Sequence, residues 1–446
     1  MPGATSIVLT GAGNVELTRR ILADLFTVPE LRGTLRIVLH DIDPGRLATA
    51  EELAARLNTE AGAGARVEVR ADRRRALDGA DFVVCQLSVG DYQTTLRDFE
   101  IPHRHGLRQT IGDSIGVGGI FRGLRTIPVL VALAQDMTEV CPEAWLLSYT
   151  DPLVMTLWAI RKATGQQRLA GLCHGVRDTH AFLADTVGRD VEEVSFFTAG
   201  ITHQAFVLRF EADGHSLYPE FARAALAHPT SVRTRMWRSF GFFPTESSEH
   251  AAEYVPWFMR YDAEIARHHI PVGEYLSRVG QNLHGYEEVR RALAATGSLL
   301  NRWREPEVAS VVMTAMLTAR PARLNLTVPN DGLIAALPQE TVVEVPCRVD
   351  QEGITPTVVE TYPVQLAALN RTYLNVAELT VHAALEGSRA HVDHAAMLDP
   401  NTAAALPLAE IHDLCDEMIE AHRELLPAGI TAGTLGGADQ TTEGKS

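Results

Sequence analysis

The order of elements in this chain predicts an α/β protein, with a doubly wound parallel sheet at the N-terminus and an α+β half at the C-terminus. Three observations predict it. Short apolar runs alternate with helical periodicity through the first part of the chain. A glycine turn, Gly11-Ala12-Gly13, joins the first apolar run to the first helical pattern. Beyond about residue 195 the alternation gives way to longer helices mixed with one alternating strand. At 446 residues the chain is long for a single core, so two domains are expected, 1–195 and 196–426. Residues 427–446 are Gly/Thr-rich with almost no large apolar side chain, which predicts a disordered tail.

Ser6-Ile-Val-Leu-Thr10 is a short apolar strand, and the helix after it carries Leu17, Ile21, Leu22 and Leu25 on one face. A second buried strand, Leu35–Leu39, ends at His40-Asp41-Ile42-Asp43, before a helix from Pro44 to about Leu57. Val67–Val69 and Asp81–Cys85 read as the next strands, and Trp145–Tyr149 and Gln167–Gly171 as two further strands of the same sheet. In the second half, Val289–Trp303 reads as a long helix and Thr341–Val345 as an alternating strand. This half is expected to close over the carboxyl edge of the sheet.

Hydrophobic residues at 46% and charged residues at 22% are those of an ordinary globular enzyme. The net charge of −16 argues against nucleic acid or an anionic membrane as partner, since both require a basic face. Five scattered cysteines form no disulfide framework, which suits a reducing cytoplasm where a free thiolate can stay available. The chain enters its first strand without the basic and apolar regions of a signal peptide. No apolar run approaches the ~18 residues of a membrane span.

Gly11-x-Gly13 between strand and helix lets backbone approach a pyrophosphate, which the helix N-terminus at Asn14 would face. Asp41 and Asp43 end the second strand, where a carboxylate can accept from ribose hydroxyls and repel a 2′-phosphate. NAD is therefore expected in a Rossmann-like site. The fingerprint is imperfect: Glu16 stands at its third glycine, and Asp41 follows Gly11 at more than the usual ~20 residues.

Gly171-Leu-Cys173-His174-Gly175-Val-Arg177 and Ile201-Thr202-His203-Gln204 add a cysteine and a histidine that could share a divalent metal. With the Gly-rich stretch from Gly106 through Asp113 and Arg122 to Pro128, these motifs resemble glycoside hydrolase family 4, the NAD- and metal-dependent glycosidases. Val328-Pro-Asn-Asp-Gly-Leu-Ile334, Val343-Glu-Val-Pro346 and Leu398-Asp-Pro400 resemble the family's second half. The resemblance covers nearly the whole chain up to the tail. Two positions depart from it: Asp151-Pro152 stands for the family's Asn-Pro, and Thr202-His203 for its Asn-His. Both bear on sugar specificity. Cys-His-Gly resembles the α-glucuronidases, whereas Cys-His-Ser and Cys-His-Glu mark the α-galactosidases and α-glucosidases.

The resemblance implies NAD and Mn²⁺ as cofactors, with Cys173 and His203 as metal ligands. It implies hydride removal from C3 of a sugar, proton removal at C2, elimination of the aglycone, addition of water and return of the hydride, outside the usual two-carboxylate scheme. Tyr254 matches the family's base and His174 its candidate general acid, with Asp113 a second candidate for proton handling or substrate binding. Asp151, Thr202, Arg177 and Arg122 are the expected substrate contacts, and a uronate carboxylate would pair with Arg177 first and Arg122 second. A small glycoside is the expected partner, and a homo-oligomer (dimer or tetramer) the expected assembly. The competing readings are a malate- or lactate-type dehydrogenase, whose Gly-Glu-His-Gly-Asp stretch is missing here, and a non-catalytic NAD sensor.

Overall fold

The computed structural model describes residues 4–225, 231–300 and 305–432. One mixed sheet runs through them. Its parallel part consists of β1 (Thr5–Thr10), β2 (Leu35–His40), β3 (Arg66–Val69), β4 (Phe82–Cys85), β5 (Trp145–Ser148) and β6 (Leu169–Gly171). These lie in the order β3-β2-β1-β4-β5-β6, the doubly wound arrangement expected, each strand in parallel register with its neighbour.

Helices pack on this sheet for reasons legible locally. Pro44 opens the Pro44–Ala61 helix at a position that needs no N–H, Asp43 caps it, and Gly62 ends it in a left-handed turn. The first helix, Val15–Thr27, buries Ile21, Leu22 and Leu25 against the core. The Gly116–Val140 helix is long and apolar enough by composition to cross a membrane, yet 78% of that stretch is buried inside the protein.

The second half does not build a separate layer of strands. β7 (Ser195–Ile201), β8 (Gln204–Ala212), β9 (His215–Ser216), β10 (Phe243–Pro244), β11 (Ala322–Pro329), β12 (Val342–Asp350) and β13 (Gly353–Pro356) extend the same sheet beyond β6. β11 pairs antiparallel with β6 through Thr327 and Gly171, β12 with β11, and β7 with β12 through Gly200 and Glu344. A single row of cross-strand partners, Gly171–Thr327–Glu344–Gly200, therefore crosses the sheet.

Two expectations need correction. The helix read as Val289–Trp303 is Glu274–Ala294, and residues 295–297 follow it in bends that end on Gly297, which does not sustain a helix; residues 301–304 lie outside the described residues. The expected disordered tail begins with a short helix, Ala428–Ala432, anchored by buried Ile430; residues 433–446 lie outside the described ones.

Candidate active site

The loops leaving β1, β2, β4, β5 and β6 share the carboxyl edge of the parallel sheet, where ligands of doubly wound folds bind. At the first, Gly11 takes φ +80, and a Cβ there would press on the backbone of Gln86 and Leu87. Gly13 donates its N–H to Asp41 Oδ2 at 2.8 Å, and a Cβ on it would strike that carboxylate. Asp41 thus ties the end of β2 to the glycine turn, while Asp43 caps the next helix through Gly45 and Arg46 N–H groups. Ile42 between them is 92% exposed. Asn14 heads the first helix with its side chain uninvolved in capping. This is a cradle that only glycine backbone leaves open.

Cys173 and His174 follow β6 after one residue, Leu172. His203 belongs to the two-residue turn between β7 and β8, in left-handed backbone at φ 69, a conformation that histidine tolerates better than branched residues. Cys173 Sγ donates to Glu246 Oε1 at 3.0 Å. Donor atoms of Cys173, His203 and Glu246 lie within 4.8 Å of one another, as do those of Asp113, His203 and His250. Thiolate, imidazole and carboxylate in that space fit a divalent cation, so the residues present suit the metal that the resemblance implies.

The electrostatics there are dominated by carboxyls. Burial alone would lower His203, but Glu246, Asp151, Asp113 and Glu344 lift it to about 9. Burial and the Asp113 charge raise Asp151 to about 6, and burial and Glu246 raise Glu344 to about 8. Such crowding of buried acids marks a functional site more often than a structural one. Asp113 accepts from Ser114 Oγ at 2.8 Å, and Ser114 in turn meets His203 Nδ1 at 2.8 Å. Arg122 hydrogen-bonds the Tyr275 hydroxyl; burial opposes its charge, but Tyr275, Asp113 and Asp151 keep it protonated.

Tyr254 is 1% exposed and packs edge-on against Tyr373 and His250, while Trp257 stacks on Phe240 instead. Its hydroxyl is buried without a hydrogen-bond partner among the described residues. Burial, Tyr373 and Asp113 hold this phenol well above its ordinary pKa. An orphaned buried hydroxyl beside a nest of metal donors fits a partner that arrives with the ligands. The next helix position back, Glu253, accepts the N–H groups of Thr110, Ile111 and Gly112, and so clamps the Gly-rich loop that carries Asp113. His174 Nε2 meets Glu307 Oε2 at 2.8 Å, and Glu307 also holds Arg20 at 2.6 Å and the Tyr149 hydroxyl at 3.2 Å.

Two expected substrate contacts are engaged elsewhere. Thr202 is 1% exposed, and its hydroxyl pairs with that of Thr327 on β11, which pins the hairpin rather than facing a cavity. Arg177 turns to the Pro306 carbonyl at 2.8 Å. Arg233 is the half-buried guanidinium near Glu246 that makes no ion pair among the described residues; it hydrogen-bonds Thr179 and lies over the Phe182 and Phe243 rings.

Residues 6–189 match the model of the family 4 glycosyl hydrolases, and residues 198–402 match that family's C-terminal domain. The chain belongs to glycosyl hydrolase family 4. It is 39% identical to an α-galactosidase of Bacillus subtilis, across 94% of this chain and 99% of that protein. It is 27% identical to an α-glucosidase of Erwinia rhapontici, across 95% and 99% of the two. A 6-phospho-α-glucosidase from gut microorganisms, solved in complex with NAD and Mn²⁺, shares the fold at a TM-score of 0.81 and 18% identity, over 95% and 99% of the chains.

In this family 4 hydrolase, Glu246, Glu253, Glu307, Glu344, Ser114, His250 and Arg233 escaped sequence reasoning. Glu344 had a signal: an acid inside a strand otherwise buried and apolar, Val342–Val345. Glu307 had none, because only folding brings it to His174.

Proposed function

We propose that this family 4 hydrolase cleaves an unphosphorylated α-glycoside with NAD and Mn²⁺ as cofactors, through proton removal at C2 and elimination. The observation that carries the proposal is the convergence of Cys173, His203 and a carboxylate beside the orphaned Tyr254 hydroxyl. The solved 6-phospho-α-glucosidase with NAD and Mn²⁺ supports the cofactor pair. When bound, NAD⁺ supplies transient oxidation at C3, and the cation supplies Lewis acidity that acidifies the neighbouring C–H.

The chain's own residues do the rest. Gly11, Gly13 and Asn14 receive the pyrophosphate, with Asp41 and Asp43 at the ribose. Cys173 and His203 hold the cation. Tyr254 would take the C2 proton as the phenolate that a cation held beside it favours against burial, and His174, oriented by Glu307 through Nε2, protonates the leaving oxygen through its other ring nitrogen. Asp113, Asp151 and Arg122 orient sugar hydroxyls. Thr202 is not kept in that set, since its hydroxyl is engaged within the protein; Arg177 stays a candidate contact, with one N–H on the Pro306 carbonyl and its Nε without a hydrogen-bond partner among the described residues.

For the sugar we read an α-glucuronide, on Cys173-His174-Gly175 and on Arg233 as an available cation for a carboxylate. The α-galactoside is the second reading, favoured by the identity to the Bacillus subtilis α-galactosidase. The same proposal places the enzyme in the cytoplasm, where Cys173 stays reduced, as a homo-oligomer.

Para-nitrophenyl α-glucuronide, α-galactoside and α-glucoside, assayed with NAD⁺, Mn²⁺ and reductant, separate the sugars. Hydrolysis should need NAD⁺ yet accumulate no NADH. Full activity after cofactor stripping, or steady NADH production, overturns the mechanism. Arg233→Met should lose the glucuronide selectively; equal loss on all three sugars removes its role in specificity.

A further inference from the structure

We propose that Glu246 is a third protein ligand to the divalent cation, and that Gly175 is glycine because the Glu246 carboxylate occupies the space of its side chain. The inference rests on the reading of Cys173 and His203 as ligands. It goes beyond that pair by naming a hard oxygen donor and the residue that makes room for it.

Four observations carry it. Glu246 Oε1 sits 3.0 Å from Cys173 Sγ, and the donor atoms of Cys173, His203 and Glu246 lie mutually within 4.8 Å. Metal–ligand bonds of ~2.0–2.3 Å place donors on one ion within such a span. A Cβ built on Gly175 would overlap the Glu246 carboxylate itself, more severely than any other glycine contact among the described residues. Glu246 also holds left-handed backbone, φ 64, as does His203 at φ 69. Two non-glycine residues in that region beside one another point to function before packing. Finally, the neighbour of Glu246 is tied to the His203 hairpin: Thr245 N donates to Ala205 O at 2.9 Å, and Pro244 pairs with Phe206. The strand pairing that presents His203 thus presents Glu246 with it.

The chemistry agrees. Thiolate alone favours soft ions, whereas carboxylate oxygen suits Mn²⁺, so a Cys-His-Glu set accounts for a hard divalent ion better than Cys-His does. The third residue of Cys173-His174-Gly175 thereby has a cause in the metal site as well as a link to the sugar class.

The test is Mn²⁺ binding to the full-length protein with NAD⁺ and reductant, read from the EPR signal of free Mn²⁺. Glu246→Gln should weaken binding by about 100-fold, since even outer-shell partners cost 10–100-fold. Gly175→Ala should do the same by displacing the carboxylate. The overlap is with the far end of a flexible side chain, so this variant keeps its fold and decides the matter even where Glu246→Gln does not fold. The double variant should bind no more weakly than either single one. NAD⁺ affinity and the thermal midpoint should stay at wild-type values. Wild-type Mn²⁺ affinity in Glu246→Gln, or additive losses in the double variant, overturns the proposal. Loss in His250→Gln with none in Glu246→Gln overturns it too, placing the ion among Asp113, His203 and His250. Cys173→Ser is the separate control: its loss alongside an unaffected Glu246→Gln leaves the two-ligand reading standing, and wild-type affinity in Cys173→Ser overturns that reading itself.

Discussion

Tyr254 and Glu253 are adjacent, equally buried, and serve different ends. The Tyr254 hydroxyl has no partner among the described residues, which is costly for a buried polar group and makes sense where a substrate C–H is to meet it. Tyr254→Phe should therefore lose most of kcat with KM little changed, because the hydroxyl acts mainly in the transition state. Wild-type hydrolysis in D₂O should place deuterium at C2 of the released sugar, as detected by mass spectrometry and NMR; a near wild-type Tyr254→Phe moves the base to His174 or Asp113. Glu253 instead holds three backbone N–H groups of the Gly-rich loop, and burial raises it from 4.5 to about 7. A raised acid means that the folded state binds the proton more tightly than the unfolded one. Its contribution is present below about 4.5 and is lost as pH rises through about 7. That loss is on the order of 3 kcal/mol. Glu253→Gln should accordingly show a thermal midpoint that falls less between acid and mildly alkaline pH than the wild type does. A parallel decline in both proteins removes Glu253 as the source.

At the scale of elements, what matters is which end of each one carries chemistry. Cys173 was legible as a strand-end residue because β6 is a short apolar run with a glycine at its close. His203 was legible only as a histidine: that it sits in a two-residue turn, in left-handed backbone, follows from the pairing of β7 with β8. The helices show the same division. Asp98, on the Tyr92–Arg104 helix, accepts from Arg125 at 3.0 and 2.5 Å, and His422 of the Leu408–His422 helix approaches it at 3.1 Å. All three are almost fully buried. This cluster fastens a C-terminal helix to two helices of the N-terminal half, and one of those carries Arg122. Asp98→Ala strands the Arg125 charge and should cost about 3–5 kcal/mol, a direct loss in thermal midpoint. An unchanged midpoint would show that the cluster contributes nothing to holding the helices.

At the scale of the molecule, the sheet joins what the sequence divides. We propose 1–195 and 196–426 as two units of chemistry, the first for the dinucleotide and the second for most of the metal and base residues. Folding does not respect that division, because β11 pairs directly with β6 and one core contains side chains from both parts. Residues 1–195 expressed alone would expose the β6 edge and apolar surface, and should give no cooperative melt and aggregate. A soluble fragment with a sharp transition would instead make the first unit a true folding domain.

The sequence by itself determined the doubly wound sheet, its strand ends, the glycine turn, and the family through Cys173, His203 and Tyr254. Those features are local: apolar periodicity, glycine at forced backbone angles, and side chains adjacent to strand termini. Tertiary structure alone decided that Glu246 reaches Cys173, that Glu307 orients His174, and that Thr202 and Arg177 are engaged within the protein. Each of these depends on contacts between residues far apart in the chain, set by antiparallel strands that join the sheet beyond β6. A carboxylate has no periodicity of its own, so its partner is fixed only when the register of the sheet is.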